Sequence, residues 1–516
     1  MRNNVVAMFS FIALCCMGCN KDTITVTYKE NSVEVSPEKM DGVSVTVNGT
    51  DVKIKSILTD KTMTYVLKGD CADGRFTLKT DGDACVRLEQ LSLTSQEGAP
   101  LHIKNKGADV ELCAAEGTDN TITIEACKDT AKYKSSALFS KGKLRLTGKG
   151  VLNVIANGDG CKGVNVKNDL DISDLTLNVK TTGSYLSIDT INRGGPGGMP
   201  FNPDDMPDEV KKHMEEMKAR FENMRQDGDM SQMRPGGPRG MAGPPNGMGR
   251  PDDRRPMEGQ PAEGVMGMPP GKMSYNGTAK GVKSTGVLTI NSGKVTVTTE
   301  SAGAEGLEGK KGVVINGGEV YVRSADDAIN ANDQIFFNGG DVTAISTGND
   351  AVDSNLEGDR PPFFNDDNEE KDATEEKKSA IIINGGCVRA WSMRGAPEEG
   401  LDCDFSPIEI SGGSVLSIGA GMGEMPSVPT QSTAKQPTAL VIGLNVTKNK
   451  PVELYESDKS GNVKGKPLVS FTPTFDFQNS SSILTDPSLK KGGWYVVKSG
   501  DQSKSFCMSE NFVIVR

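Results

Sequence analysis

Val313-Val-Ile-Asn-Gly-Gly-Glu-Val-Tyr-Val-Arg-Ser-Ala-Asp-Asp-Ala-Ile-Asn330 is followed almost at once by a second version of itself. That version is Ile335-Phe-Phe-Asn-Gly-Gly-Asp-Val-Thr-Ala-Ile-Ser-Thr-Gly-Asn-Asp-Ala-Val-Asp353. Each reads as a short β-branched run, a glycine pair, an alternating strand and an acidic turn. Between Leu288 and Ile418 the phrase recurs about five times, marked by Ser292-Gly293, Gly317-Gly318, Gly339-Gly340, Gly385-Gly386 and Gly412-Gly413. The acidic turns are Glu305-Gly-Leu-Glu308, Asp327-Ala-Ile-Asn330, Asp350-Ala-Val-Asp353 and Glu399-Gly-Leu-Asp402. Their starts lie 22, 23 and 49 residues apart, the last gap holding an acidic insertion. A period of 20 to 25 residues built of strands and glycine turns predicts a coiled β-solenoid.

Superposed coils place equivalent residues about 4.8 Å apart, the spacing of paired strands. Glu305, Asp327, Asp350 and Glu399 then form one column, and Glu308, Asn330, Asp353 and Asp402 a second. Like charges at that separation repel and push carboxylates toward protonation. A hard cation removes the conflict, and columns of carboxylate and carbonyl oxygens suit calcium. A solvated acidic edge without an ion is the plainer alternative.

Outward from this stretch the chain is all-β in character. Its 516 residues include 60 glycines and only 5% aromatic residues. A net charge of −11 with no basic surface argues against nucleic acid as a partner. From 61 to 191, apolar–polar–apolar triplets such as Phe76-Thr-Leu, Val86-Arg-Leu, Ile122-Thr-Ile and Leu144-Arg-Leu recur with Gly, Asp or Asn between them. They predict further, metal-poor coils. Residues 20–60 read as a linker with first strands, 276–425 as the calcium-type coils, and 436–516 as a small C-terminal β module that caps the open end.

Two segments break the rhythm. Residues 192–275 form a Met/Pro/Gly-rich insertion expected to be disordered, with one short amphipathic helix over 208–225. A copper site using its methionines and His213 is the sharper reading, and a plain loop the blander one. Residues 357–378 are the acidic insertion.

Residues 1–19 read as a targeting segment, with Arg2 ahead of a short apolar run that ends Cys16-Met17-Gly18-Cys19. It resembles a bacterial lipoprotein signal with lipidation at Cys19. This predicts a protein tethered by lipid to the outer membrane or cell surface, with no protein partner implied. The eight cysteines after residue 19 contain no CxxC pair, which argues against zinc or redox sites and favours small apolar fillers within the coil.

With His102 and His213 the only histidines, a Ser–His–Asp triad or a histidine metal site has little to work with. Trp391 is a candidate sugar-stacking residue, with a buried rung position as the alternative. Arg323 and Arg394, beside the acidic turns, are grouped with it as candidate carbohydrate contacts.

Ala279-Lys-Gly-Val-Lys283, Ala304-Glu-Gly-Leu-Glu308, Ile315-Asn-Gly-Gly318, Asp326-Asp-Ala-Ile-Asn330, Asn349-Asp-Ala-Val-Asp353 and Ala396-Pro-Glu-Glu-Gly-Leu-Asp-Cys-Asp404 together resemble a known family. It is the bacterial right-handed parallel β-helix carbohydrate-binding domain that looks like a polysaccharide lyase. Leu146-Thr-Gly-Lys-Gly-Val-Leu-Asn-Val154 fits it as well. The resemblance covers about 60–190 and 276–425. It implies calcium held by Glu305, Glu308, Asp326, Asp327, Asn330, Asp350, Asp353, Glu399 and Asp402, and a plant-type or acidic polysaccharide as ligand. Lys162 and the Tyr185 region depart from the pattern, so calcium is not expected in the N-terminal coils. Binding without cleavage is the preferred function, because no convergent base stands out. A calcium-dependent lyase acting on uronic-acid polymers and a structural adhesin are the alternatives.

Overall fold

The computed structural model describes residues 22–190, 273–356, 378–420 and 427–516, apart from positions 106, 131, 404 and 405. The lipoprotein segment with Cys19, the amphipathic helix and nearly all of both insertions lie outside these residues. No helix occurs among the described residues, and none is long and apolar enough to cross a membrane.

The chain winds as a stack of coils with three strands each. In one coil these are Leu307–Gly309, Val313–Ile315 and Glu319–Ser324. The next repeats them as Ile329–Ala331, Ile335–Phe337 and Asp341–Ser346, each pairing in parallel with its predecessor. The first strands of successive coils form an 11-stranded sheet, and the second and third faces belong to a 24-stranded one. Winding starts earlier than the linker reading places it. Thr23–Lys29 pairs in parallel with Met63–Cys71, and a hairpin of Val43–Asn48 and Asp51–Ser56 opens the first face.

The apolar triplets explain the core. Leu288, Val313, Ile335, Ile381 and Ile408 occupy one inward column, and Val295, Val320, Val342, Val388 and Val415 another, all essentially buried. Burying one such side chain contributes roughly 1.5–3 kcal/mol. Cys71, Cys113, Cys127, Cys161 and Cys403 are buried in the same way, as small fillers.

The glycine pairs mark the corner between the second and third strands. Gly340 has φ +87°, and a Cβ there would stand 2.8 Å from the carbonyl oxygen of Gly318, the equivalent residue one coil back. Beside it an asparagine ladder climbs the outside: Asn316 donates to Asn291, Asn338 to Asn316, and Asn384 to Asn338, at 2.8–2.9 Å. Gly340→Ala should therefore destabilise the protein by about 1–3 kcal/mol through left-handed strain and contact with the stacked backbone. An unchanged urea midpoint would contradict this account of the corner.

Two features bear on function. Across the Met-rich insertion the coils stay in step: Val164 pairs with Val282, Leu170 with Leu288 and Thr176 with Lys294. At the far end, Phe477–Thr485 pairs antiparallel with the last third-face strand, Ser414–Ile418, and with Thr438–Val446. A four-stranded antiparallel sheet of Val452–Ser457, Val463–Phe471, Trp494–Ser499 and Gln502–Cys507 completes this C-terminal part.

Candidate metal and carbohydrate site

The acidic turns sit at the corner joining the third strand of one coil to the first strand of the next. Strand pairing places Glu308, Asn330, Asp353 and Asp402 opposite one another in sequence. The second column is set by backbone bonds: Gly306 N–H donates to the Asp327 carbonyl, Ala328 to Asp350 and Ala351 to Glu399. Both columns read from the spacing are therefore present in the coil.

Their environments differ along the axis. Glu308 is fully buried, with Lys280 at 3.1 Å, Lys283 at 2.6 Å and Lys310 at 2.5 Å. Burial alone would raise its pKa, but these three ammonium groups hold it down to about 2. Lys280 also reaches Glu305 at 2.7 Å. Lys280 and Lys283 occupy, one coil earlier, the places of Glu305 and Glu308. Lysines thus close the acidic run at its N-terminal end.

Past that end the balance reverses. Glu305 is raised by burial and by Glu308 and Asp326, against the pull of Lys280. Asp327 is raised well above the carboxylate range by burial first, then by Asp326, Asp350 and Glu305. Asp350 is pushed up to about 9 by burial and the Asp402 charge. Asp327 accepts hydrogen bonds from Asn330 at 3.0 Å, from Asn349 at 2.7 Å and from the Asp350 amide at 3.2 Å. Asn330 also donates to Asp353 at 2.9 Å, bridging two coils. In the last turn, Ser427 donates its amide to Glu399 at 2.8 Å and its hydroxyl to Asp402 at 2.9 Å.

Glu305, Asp326 and Asp327 offer carboxylate oxygens within 4.8 Å of one another. Oxygens on opposite sides of a calcium ion, each about 2.3–2.6 Å from it, stand about that far apart. The donor set is all oxygen, carries three carboxylates and lacks soft ligands, which suits a hard divalent cation of the calcium, magnesium or manganese kind.

The expected carbohydrate contacts share no open surface, although register puts Arg323 and Trp391 in one outward column two coils apart. Trp391 is 2% exposed, its indole Nε1 donates to the Leu416 carbonyl at 3.1 Å, and Phe475 meets it edge-on at 6.0 Å. The C-terminal module covers this end of the third face, so Trp391 takes the buried rung position and offers no ring face to a sugar. Arg323 is exposed at the end of its strand, three residues ahead of Asp326. Arg394 is exposed too, donating to the Gly348 carbonyl at 2.7 Å. One aromatic residue escaped the sequence reading: Tyr321, 37% exposed on the outward row. The alternation Glu319-Val-Tyr-Val-Arg323 is the signal that could have found it, because inward Val320 and Val322 force Tyr321 outward.

Lys162 shows why metal was not expected further back. It sits in the Glu305 column two coils earlier, followed there by Lys280. Burial, then Lys280 and Lys283, brings its pKa down to about 8.

No curated protein matches the chain. A solved structure described as that of the polysaccharide lyase-like protein from C. thermocellum, gadolinium derivative, aligns at 18% identity and a TM-score of 0.37. The alignment covers 63% of this chain and 92% of that one. Over residues 48–187 and 256–351, a span holding the first two acidic turns and the start of the third, the chain matches the family model described as carbohydrate-binding domain-containing protein.

Proposed function

We propose that the chain is an envelope-anchored lipoprotein that binds polysaccharide on a calcium-stabilised, right-handed parallel β-helix without cleaving it. The observation that carries the calcium half is the register of the acidic columns, with Glu305, Asp326 and Asp327 oxygens within 4.8 Å of one another. A first ion fits among these three. Asp350, Asp353, Glu399 and Asp402, with Asn330 between the groups, make a second set. Glu308 contributes less, because lysines already balance its charge. The match to a carbohydrate-binding family model supports the glycan half, and residues 1–19 support the anchor at Cys19.

The test is retention of the full chain by immobilised polysaccharides, before and after chelation, with absorbance from unsaturated chain ends followed in parallel. Retention without an absorbance rise, together with a melting temperature that falls on chelation, is the expected result. A melting temperature indifferent to chelator would remove calcium from the account.

One observation favours a lyase as the second reading. Proton abstraction beside a carboxylate needs an amine that is neutral near working pH, and Lys162 is brought to about 8. It stands two coil spacings from Glu305, about 10 Å. A calcium-dependent absorbance rise that disappears in Lys162→Ala would establish that reading over the first.

A further inference from the structure

The third strand of every coil turns a row of side chains outward, and register lines up the middle members of that row along the axis. Asp70, Ser92, Thr121, Asn153 and Asn178 follow one another in this way, one per coil. The first four border a groove of about 520 Å³, flanked by Gln90 and Asp119. That volume lies within the range of about 300–1,000 Å³ typical of ligand sites.

The groove is built by the backbone. A register shift between Leu67 and Gly69 bends one strand, and Gln90 takes a left-handed φ of 58° in the next. Its polar groups are already oriented: Asn178 donates to Asn153 at 2.9 Å, and Asn153 donates to Asp119 at 2.7 Å. The Asp70 carboxylate and the Ser92 hydroxyl are exposed and make no hydrogen bond among the described residues.

Charge selects the occupant. Two carboxylates and no lysine or arginine line the groove, so a polymer of uronic acids is repelled there. Uncharged sugars suit it, since their hydroxyls donate to the carboxylates and accept from the asparagine amides. Past Asn178 the same row continues through Thr296 to Tyr321, about 14 Å beyond Asn153 at three coil spacings. Tyr321 is the exposed aromatic residue on this polar face, and a ring so placed stacks on a sugar. Two coils further on, Trp391 and its module cover the neighbouring row, which gives the open surface a definite end.

We propose that this row is the binding surface for an uncharged polysaccharide strand lying along the coil axis, hydrogen-bonded at the Asp70–Asn153 groove and stacked on Tyr321. It is distinct from the acidic corner. The inference rests on the carbohydrate-binding reading above and adds the place and the chemical class of the ligand.

The experiment is affinity electrophoresis of the full chain through gels containing neutral glucan, xylan, mannan or polygalacturonate. At least one neutral polymer retards the protein, and Tyr321→Ala and Asn153→Ala each weaken that binding about tenfold with an unchanged melting temperature. Lys464→Ala, on the four-stranded sheet, leaves it unaltered. Tyr321 is exposed, so its variant folds whatever happens at Asn153. If wild type is retarded but both variants behave like it, this surface is wrong and carbohydrate binding stands. Retardation by polygalacturonate alone overturns the uncharged class. If no polymer retards the wild type, the carbohydrate-binding reading itself falls, and this inference with it.

Discussion

Calcium added to chelator-treated protein at pH 8 should raise the melting temperature by about 5 °C or more, while the same addition at pH 5 should change it little. The sign follows from the acidic corner. Asp350 has a folded pKa of about 9 against an ordinary 3.8, and Asp327 and Glu305 are raised as well. A carboxyl whose folded pKa is raised stabilises the cation-free fold fully below its unfolded pKa. That contribution is lost as pH rises through the folded value. For Asp350 the window runs from about 4 to about 9, so at pH 8 most of the loss has occurred and an ion can restore it. At pH 5 the proton on Asp350 is held far more tightly than at pH 8, and the ion must displace it. Each ion at a hundredfold its Kd stabilises by about 2.7 kcal/mol, so two contribute about 5 kcal/mol, and for a chain of this size each kcal/mol moves the melting point by about 1 °C. Equal shifts at both pH values, or none at pH 8, would remove the coupled picture of ion and protons.

The second large effect is at Glu308. Glu308→Ala should destabilise the protein by about 3 kcal/mol, since it leaves Lys280, Lys283 and Lys310 around a buried place with no counter-charge. Lys280 keeps Glu305 as a partner, which holds the loss to the lower end of what breaking a buried pair costs. The Glu308 linkage runs opposite to that of Asp350. Its pKa is depressed to about 2, so its contribution is present above the unfolded value near 4.5 and disappears as pH falls toward 2. Asp350→Asn replaces a carboxyl that the cation-free fold keeps protonated up to about pH 9, so at pH 8 it should stabilise the cation-free protein while abolishing much of the calcium response. Chemical unfolding of both variants without calcium checks the contrast. If the two midpoints move in the same direction, local charge balance does not govern this corner.

Much of this corner was legible before any coordinates, for a simple reason. Neighbouring coils must stack, so the 22- and 23-residue steps between acidic turns are the same steps by which Leu307, Ile329 and Val352 pair. The lysine end was legible too, although it was not read as a charge balance. Ala279-Lys-Gly-Val-Lys283 is Ala304-Glu-Gly-Leu-Glu308 with both charges reversed, and the pairing of Lys283 with Glu308 makes the reversal a salt-bridged step. What could not be read depends on chain distant in sequence. Nothing near Trp391 announces that Phe475 will cover it, so its burial follows only from the docking of the C-terminal strands. The groove beside Asp70 depends on a register shift at Gly69, which a repeat pattern does not encode.

The step across the Met-rich insertion says something about how such a chain can grow. Consecutive coils elsewhere in this region are offset by 25 residues, as between Lys283 and Glu308, whereas here the offset is 118. Because the entropy of closing a connection rises only as the logarithm of its length, going from one to the other costs about 1.4 kcal/mol. The parallel pairs on either side, each anchored by buried Val and Leu, readily exceed that. A corner of this kind is therefore a tolerant acceptor: evolution can lengthen, replace or remove a whole segment there, and the coil that carries the acidic turns keeps its register.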